Sequence, residues 1–417
     1  MSLVAQGSQS RDEATEQVAE PVKDPLAELY DEAAAELAKE QSSLDVVGES
    51  QDKTPEAGPS QVEKGPAKGF ACLEEPQEES SENPNQYIID KLKELRSIYQ
   101  SKQGDTDTFK VFNLNKVIGD LSRVKHKITT RAQALKLNGS GAKTADKIME
   151  IIQTGGLQRI QAEDTEEYRV CKMFAGIYDV GAKRAHKWYN MGLRTLEDVE
   201  ARKDEIGLTR NQAIGLRYYN DLQERIPRAE ASAIFDKIRE AAMKIDGNIT
   251  LYIMGSYRRG EQTVGDIDLL LTRDPTDGIT HAGMLHKLLD TLHDQGLLTD
   301  DLVIPPHNKA LEQKYMGIGR LPPDGKLRRI DILAIPYDQK GAALIYFTGD
   351  DLFNRSIRLL AHKKGYSLNQ RGLYGGVMRD TKRKKMTEGV IVASKTEKEI
   401  FDVLGVPWRE PHERRRM

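Results

Sequence analysis

The sequence predicts an α+β fold in which a helical region is followed by a sheet-containing region and then by a small mixed domain. Three observations support this order. From Gln86 to about residue 245, apolar side chains recur at helical spacing. Short segments rich in β-branched residues and leucine then appear at 249–254, 266–272 and 328–336. From about residue 337, helical patterns alternate with turn-rich stretches.

The N-terminal segment, 1–85, differs in composition from the rest of the chain. It carries 6 Lys+Arg and 20 Asp+Glu, a net charge of −14, and contains only two aromatic residues. Such a segment cannot bury enough apolar surface to offset its ordering entropy. We therefore predict that residues 1–85 form a disordered acidic tail.

The body of the chain, from Gln86 to Met417, carries 56 basic and 45 acidic side chains, a net charge of +11. A basic body is typical of proteins that bind a polyanion such as nucleic acid, although an ordinary charged surface explains the charge equally well. Two cysteines exclude a disulfide framework and a Cys-rich zinc site. Since neither a membrane-length apolar run nor a secretory signal is found, we expect an intracellular protein without a membrane span.

One motif occurs twice within the helical region. The segment GAKTADK at 141–147 recurs as GAKRAHK at 181–187, and each copy follows a tight turn and opens a helix. This helix-hairpin-helix pattern suits non-specific contact with a DNA backbone, because main-chain amides at the helix start face a phosphate. The candidate DNA-binding residues are Gly141, Lys143, Gly181 and Lys183, and the alternative is a pair of ordinary helical turns.

A catalytic constellation is predicted around the segment MGSYRRGEQTVGDIDLLLT at 254–272. Side chains alternate along a strand, so Asp266 and Asp268 point the same way. Asp331 lies on a comparable later strand. Three carboxylates suit magnesium, and a pair of ions can stabilise both oxygens of a displacement at phosphorus. In the turn before them, Ser256 with nearby backbone amides and Arg259 can bind a triphosphate.

The sequence resembles the nucleotidyltransferase superfamily and, within it, the family X DNA polymerases. The resemblance runs from about residue 86 to 417 and rests on the two hairpins, the Asp-x-Asp segment, Tyr346-Phe347-Thr348-Gly349, Phe353-Asn354-Arg355 with Arg358, and the closing VLGVPWREPHER. It implies a helical lyase domain with helix-hairpin-helix motifs and a polymerase core of fingers, palm with mixed β-sheet, and thumb. The implied domains are a 5′-deoxyribose-phosphate lyase domain at 86–160, a DNA-binding subdomain at 161–235, the catalytic palm at 236–336 and the nucleotide-selecting thumb at 337–417.

The resemblance also implies roles for individual residues. Asp266 and Asp268 would hold two Mg²⁺ ions, with Mn²⁺ as an alternative, and Asp331 would bind the catalytic ion and help to deprotonate the primer 3′-OH. The nucleotide-binding residues would be Arg225, Gly255, Ser256, Arg259, Gly265, Tyr346, Phe347, Gly349, Asp351 and Asn354. Arg355 and Arg358 would contact the template side, and the hairpin turns would hold a monovalent cation.

A lysine that forms a Schiff base with a 5′-deoxyribose phosphate is implied at Lys147, with Lys110 and Lys143 holding the 5′-phosphate. The repeat spacing alone offers Lys187 equally. Chemistry favours Lys147. A lysine that forms a Schiff base must be neutral part of the time, and nearby cations lower its pKa. The chain departs from the family pattern at Ser140 in the first hairpin turn, at Asp350 after an implied cis peptide, and at Gln370 in the thumb.

The implied activity is gap filling in base excision repair and end joining. The implied partners are gapped or nicked DNA, deoxynucleoside triphosphates and repair proteins bound through the tail, for a monomer located in the nucleus. One alternative is a template-independent nucleotidyltransferase acting on DNA ends, which the short loop from Ile304 to Gln313 disfavours. Another is a non-catalytic DNA-end scaffold, which the presence of three metal-binding aspartates disfavours.

Overall fold

The computed structural model describes residues 70–73, 83–102, 105–381 and 385–414. Helices form the region that precedes the first strand. The predicted lyase domain contains α1 (Gln86–Ser101), α2 (Asp105–Arg123), α3 (Arg131–Leu135), α4 (Ala142–Thr154) and α5 (Gln158–Glu163). Their apolar faces share one core that includes Leu92, Leu121 and Ile148. The predicted boundary after residue 160 falls inside α5, whose Ile160 packs on this core.

The next helices enclose a separate core. They are α6 (Glu166–Ala175), α7 (Ala182–Asn190), α8 (Leu196–Ala201), α9 (Arg210–Arg217) and α10 (Tyr219–Gln223). Trp188 is buried at the centre and meets Phe174 edge to face, with ring centroids 5.7 Å apart.

The predicted palm is a five-stranded mixed sheet flanked by helices. Its elements are β1 (Ile226–Pro227), α11 (Arg228–Ile245), β2 (Ile249–Ile253), α12 (Gly255–Arg258), β3 (Thr263–Val264), β4 (Ile267–Arg273), α13 (Met284–Asp294), β5 (Leu298–Val303), β6 (Gln313–Gly319) and β7 (Arg328–Ala334). The strand order is β2-β4-β7-β6-β5, and β1 pairs separately with β3. Among the neighbouring strands of this described sheet, β4 and β7 form the one parallel pair. The mixed sheet predicted from the family pattern is therefore confirmed.

The three predicted strands lie within two residues of β2, β4 and β7. The boundary predicted after residue 235 needs correction, because it cuts α11. The apolar face of α11, including Ile234 and Ile238, packs in the same core as the sheet. The whole helix therefore belongs with the palm.

The predicted thumb begins after β7. It contains a 3-10 helix (Tyr337–Gln339), α14 (Lys340–Thr348), α15 (Asp351–Lys363), β8 (Ser367–Asn369), β9 (Gly372–Gly375), β10 (Val390–Ala393), α16 (Glu397–Leu404) and a 3-10 helix (Pro411–Glu413). The strands form an antiparallel sheet in the order β10-β9-β8. Among the described helices, none combines the length and the apolar character that a bilayer span requires.

The predicted disordered tail needs one correction, at residues 70–73. Ala71–Leu73 form a 3-10 helix, and Phe70 and Cys72 are buried in the thumb core. Asn85 is also buried and begins the predicted lyase domain, since its side chain bonds to Ile128 N–H and His126 C=O. The other residues assigned to the tail, 1–69 and 74–82, lie outside the described residues.

Candidate active site

Three carboxylates converge at one edge of the palm sheet. Asp268 on β4 and Asp331 on β7 are register partners in the parallel pair, and Asp266 lies just before β4. One oxygen from each lies within 4.8 Å of the others. The three predicted metal ligands are thus brought together by strand register, since adjacent strands lie only about 4.8 Å apart.

Nearby basic side chains only partly offset the cost of burying these carboxylates. Burial, reinforced by Asp331, raises the pKa of Asp268 to about 6, while Lys314 and Arg259 oppose the shift. Burial likewise raises the pKa of Asp331, against the influence of Arg329 and Lys314. One oxygen of Asp331, Oδ1, is buried and accepts no hydrogen bond from the described residues. A divalent cation fits such a cluster, because it would supply both the charge and the missing contact.

Arg329 is a member of the site that the sequence analysis missed. Its guanidinium forms an ion pair with Asp266, and its Nε lies 3.5 Å from Asp331 Oδ1. Residues 329 and 331 share one face of β7 because they are two positions apart, so the alternation rule that grouped the aspartates could have identified it.

The turn after β2 brings backbone close to the carboxylates. Gly255 has φ +56°, and a Cβ on it would lie 2.5 Å from Asp268 Oδ2. Glycine therefore meets both a conformational and a steric requirement here. Ser256 is half-buried beside it in α12. Arg225 donates from Nε to Thr263 Oγ1 across 2.7 Å and lies beside Gly265, the residue before Asp266.

Two arginines join the palm to the thumb. Arg259 donates to the carbonyl oxygen of Thr348 across 2.6 Å, next to Gly349. Arg258 forms an ion pair with Glu397 at 2.7 Å, and Glu397 also accepts from buried Arg414 at 2.6 Å. Burial alone would raise the pKa of Glu397, but the two arginines hold it below its usual value.

Two residues predicted to meet the nucleotide sugar and base, Tyr346 and Asn354, are in contact within the thumb. Asn354 donates from Nδ2 to the Tyr346 carbonyl oxygen across 2.7 Å. The Arg358 guanidinium lies over the Tyr346 ring, 4.7 Å from its centroid. Phe347 packs against the palm core around Met254, so part of its role is structural.

The departure at Asp350 has a structural explanation. The Gly349–Asp350 peptide is cis, as the family resemblance implies. Asp350 is the N-cap of α15, since its Oδ1 accepts from Phe353 N–H across 2.9 Å. Aspartate is among the preferred N-cap residues and also suits the positive end of the helix dipole. Near this start of α15, Arg355 forms an ion pair with Asp351 at 3.4 Å.

The two hairpins have the same geometry. Gly141 caps α4 and Gly181 caps α7, both in extended conformation. At equivalent positions of the two turns, Gly139 and Asp179 take the left-handed conformation, with φ +80° and +63°. The carbonyl of Asp179 accepts from Gln212 Nε2 across 2.8 Å, which holds this turn. Exposed lysines Lys143 and Lys183 follow the caps.

The environment of Lys147 favours the neutral form of its amine. Burial lowers its pKa, and Arg159, Lys143 and Lys110 lower it further. Arg159 was not anticipated from the sequence. Lys187 occupies the equivalent position in the second repeat and is exposed. The structure therefore distinguishes two lysines that spacing alone leaves equivalent.

Comparison with known families gives four matches in chain order. They are the helix-hairpin-helix domain at 83–157, the fingers domain of DNA polymerase lambda at 172–223, the DNA polymerase beta palm at 225–337 and the DNA polymerase beta thumb at 343–415. The match to the palm begins before α11 and agrees with its packing on the sheet.

Curated relatives extend these matches over most of the chain. DNA polymerase lambda of Rattus norvegicus is 38% identical over 83% of this chain and 58% of its own length. DNA polymerase lambda of Arabidopsis thaliana is 33% identical over 79% and 62%. DNA nucleotidylexotransferase of Monodelphis domestica is 28% identical over 80% and 68%. The chain thus spans about three-fifths of the two polymerase lambda relatives.

Proposed function

Because this chain belongs to the family X DNA polymerases, we propose that it is a DNA-directed DNA polymerase that fills short gaps during DNA repair. The observation that carries the proposal is the convergence of Asp266, Asp268 and Asp331 beside the Gly255 turn. A scaffold that only binds DNA ends would have no need for three adjacent, partly buried carboxylates, which repel one another without a cation.

The three aspartates would hold two Mg²⁺ ions, or Mn²⁺ in their place. Bound there, the ions supply charge stabilisation to the attacking and leaving oxygens at phosphorus. Asp331 would bind the catalytic ion and help to deprotonate the primer 3′-OH. Arg329 would have to release Asp266 when cations enter, because its guanidinium now supplies the positive charge there.

The incoming triphosphate would lie against the turn formed by Gly255 and Ser256, between Arg259 and Arg225. The sugar would lie on the Tyr346–Phe347 segment, with Asp351 and Asn354 toward the base. The hairpin amides after Gly141 and Gly181 would contact DNA phosphates together with Lys143 and Lys183, and a monovalent cation would assist there.

A second activity, 5′-deoxyribose-phosphate lyase, is assigned to Lys147. Its lowered pKa increases the fraction of neutral amine that can attack C1′ and form a Schiff base. Lys143 and Lys110, which contribute to that shift, would also hold the 5′-phosphate. The activity would prepare the same gap that the palm fills.

The second candidate is template-independent addition to DNA ends. It is favoured by the likeness to a DNA nucleotidylexotransferase. The loop 304–312 between β5 and β6 argues against it, because this short loop is fixed in place. Gln313 Nε2 donates to Pro306 C=O across 2.9 Å, and Arg371 forms an ion pair with Glu312 at 2.5 Å.

The remaining assignments follow from the proposed activity. Gapped or nicked DNA and deoxynucleoside triphosphates would be the substrates, in base excision repair and end joining. A repair enzyme of this kind would act in the nucleus as a monomer, and repair proteins would bind the acidic tail. Salt-dependent binding to gapped DNA is expected, because lysine and arginine contacts release counterions.

The deciding experiment compares filling of a one-nucleotide gap with tailing of a blunt end, under identical Mg²⁺ conditions. The proposal expects addition of the templated nucleotide to the gap and little addition to the blunt end. Equal or preferred addition to the blunt end, irrespective of template, would establish the second candidate instead. No addition to either substrate would refute both.

A further inference from the structure

The segment Phe70–Leu73 is docked on the thumb although it precedes the lyase domain in the chain. Phe70 is 5% exposed and Cys72 is fully buried, in a core formed with Ile357, Leu360 and Leu368. The main-chain N–H of Cys72 donates to Ser356 Oγ across 3.0 Å. We call Phe70–Leu73 the anchor segment.

The contact has the character of a built interface. An aromatic ring and a thiol are removed from water, and the hydrogen bond that fixes them is buried. Lys363 closes the outer side, with Nζ 4.9 Å from the Phe70 ring centroid. Burial of Phe70 and Cys72 favours docking of this short run, which is bounded in the chain by the charged residues Lys68 and Glu74.

The anchor segment makes a second connection between the two ends of the proposed DNA-binding surface. The chain already joins the lyase domain to the thumb through the fingers and palm. Residues 74–82 join the anchor segment directly to Asn83, where the lyase domain begins. Ten residue steps span at most roughly 35 Å, so the docked anchor limits how far the lyase domain can move from the thumb.

We propose that the anchor segment is an intramolecular strap that keeps the lyase domain and thumb together around bound DNA. The consequence for DNA rests on the proposed function. When one of the two linked binding regions releases the DNA, the other still holds it, so the first can bind again before the DNA leaves. The strap should therefore slow dissociation of gapped DNA. The chemical step should be unaffected, because the described contacts of the anchor are with thumb residues such as Ser356 and Ile357 and include none of the three carboxylates.

Docking is tested first without DNA, in the full chain, by alkylation of the two cysteines followed by mass spectrometry. Phe70→Ala should make Cys72 react about tenfold faster, since exposure controls access to the thiol. Cys171, buried in a different core, should not change. Gln77→Ala is the matched control and should leave both rates unchanged. An unchanged Cys72 rate in both Phe70→Ala and Phe70→Asp would overturn the docked anchor.

The strap is then tested by the dissociation rate of labelled one-nucleotide-gapped DNA, chased with unlabelled DNA. Phe70→Ala and a chain with twenty Gly/Ser residues inserted after Glu75 should both release DNA about tenfold faster. The insertion should leave Cys72 protected from alkylation, because it lengthens the linker without releasing the anchor. Faster DNA release in this variant would therefore be due to the loss of the short tether and not to loss of docking. Unchanged release in both variants would overturn the strap. Failure of the proposed function would show separately, as absent nucleotide addition by the unaltered chain.

Discussion

Asn354 donates its side-chain amide to the main-chain carbonyl of Tyr346, and the two atoms lie 2.7 Å apart. The Tyr346 ring is held at the same time beneath the Arg358 guanidinium. Residue 346 is therefore fixed through both its backbone and its side chain. Under the proposed function, this carbonyl is the group that meets the 2′ position of the incoming sugar.

Asn354→Ala should weaken the selection of deoxyribonucleotides over ribonucleotides. The substitution removes the hydrogen bond that orients the carbonyl, and a hydrogen bond of this kind contributes about 1 kcal/mol, or roughly fivefold. The measurement is the ratio of deoxyribonucleotide to ribonucleotide incorporation opposite one template base. Tyr346→Phe is the control, since it keeps the backbone and the ring. A ratio that is the same for all three proteins would place the carbonyl away from the sugar.

Asp268→Asn should abolish nucleotide addition and leave binding to gapped DNA nearly intact. Removing a charged ligand from the cluster costs several kcal/mol of transition-state stabilisation, which is at least about a thousandfold in rate. Single-turnover gap filling in Mg²⁺ provides the measurement. Asp290→Asn, on the exposed side of α13, is the matched control. Activity of Asp268→Asn within about tenfold of the unaltered chain would refute the metal assignment.

The carboxylate cluster could be predicted from sequence because strand alternation and the short separation of Asp266 and Asp268 fix their common direction. The register that places Asp268 opposite Asp331 could not, since parallel pairing of β4 with β7 depends on the whole sheet. Arg329 was missed although the same alternation applied to it. The anchor segment was missed for another reason: averaging composition over the whole N-terminal segment concealed the short apolar run Phe70-Ala71-Cys72-Leu73.

Lys147→Ala should lose most of the covalent adduct when DNA with a 5′-deoxyribose phosphate is trapped with borohydride, and Lys187→Ala should keep it. The reason is the lowered pKa of Lys147, caused first by burial and then by Arg159, Lys143 and Lys110. Full trapping by Lys147→Ala would overturn the assignment.

The pH dependence of trapping provides an independent test of the same lysine. A lowered pKa leaves the amine neutral at pH values where an ordinary lysine is charged, so trapping should rise through a pH range below the usual one for lysine. Removing a neighbouring cation by Lys143→Gln should shift this rise to higher pH, because one cause of the lowered pKa is lost. An unshifted profile would mean that another amine forms the adduct.

Glu397→Gln should strongly destabilise the thumb. It leaves buried Arg414 and Arg258 facing one another without their common carboxylate, and removing one partner of a buried ion pair typically costs about 3–5 kcal/mol. Because the pKa of Glu397 is lowered in the folded state, its contribution is present above the ordinary glutamate pKa and is lost as the pH falls through the lowered value. Urea unfolding at neutral and acidic pH should show the difference shrinking. Glu399→Gln, exposed on the same helix, should change little at either pH.

Ser140→Val should stabilise the proposed lyase domain. Ser140 Oγ is buried without a hydrogen-bond partner among the described residues, whereas the equivalent position of the second hairpin holds Val180, which is 6% exposed. A buried unsatisfied hydroxyl costs about 1–3 kcal/mol, so replacing it with the apolar residue of the other repeat should recover part of that cost. Val180→Ser is the reciprocal change and should destabilise the second hairpin by a similar amount. Both are measured by thermal and urea unfolding of the full chain. A lower stability of Ser140→Val would contradict the prediction. It would mean that the Ser140 hydroxyl makes a favourable contribution to the first turn that valine cannot supply.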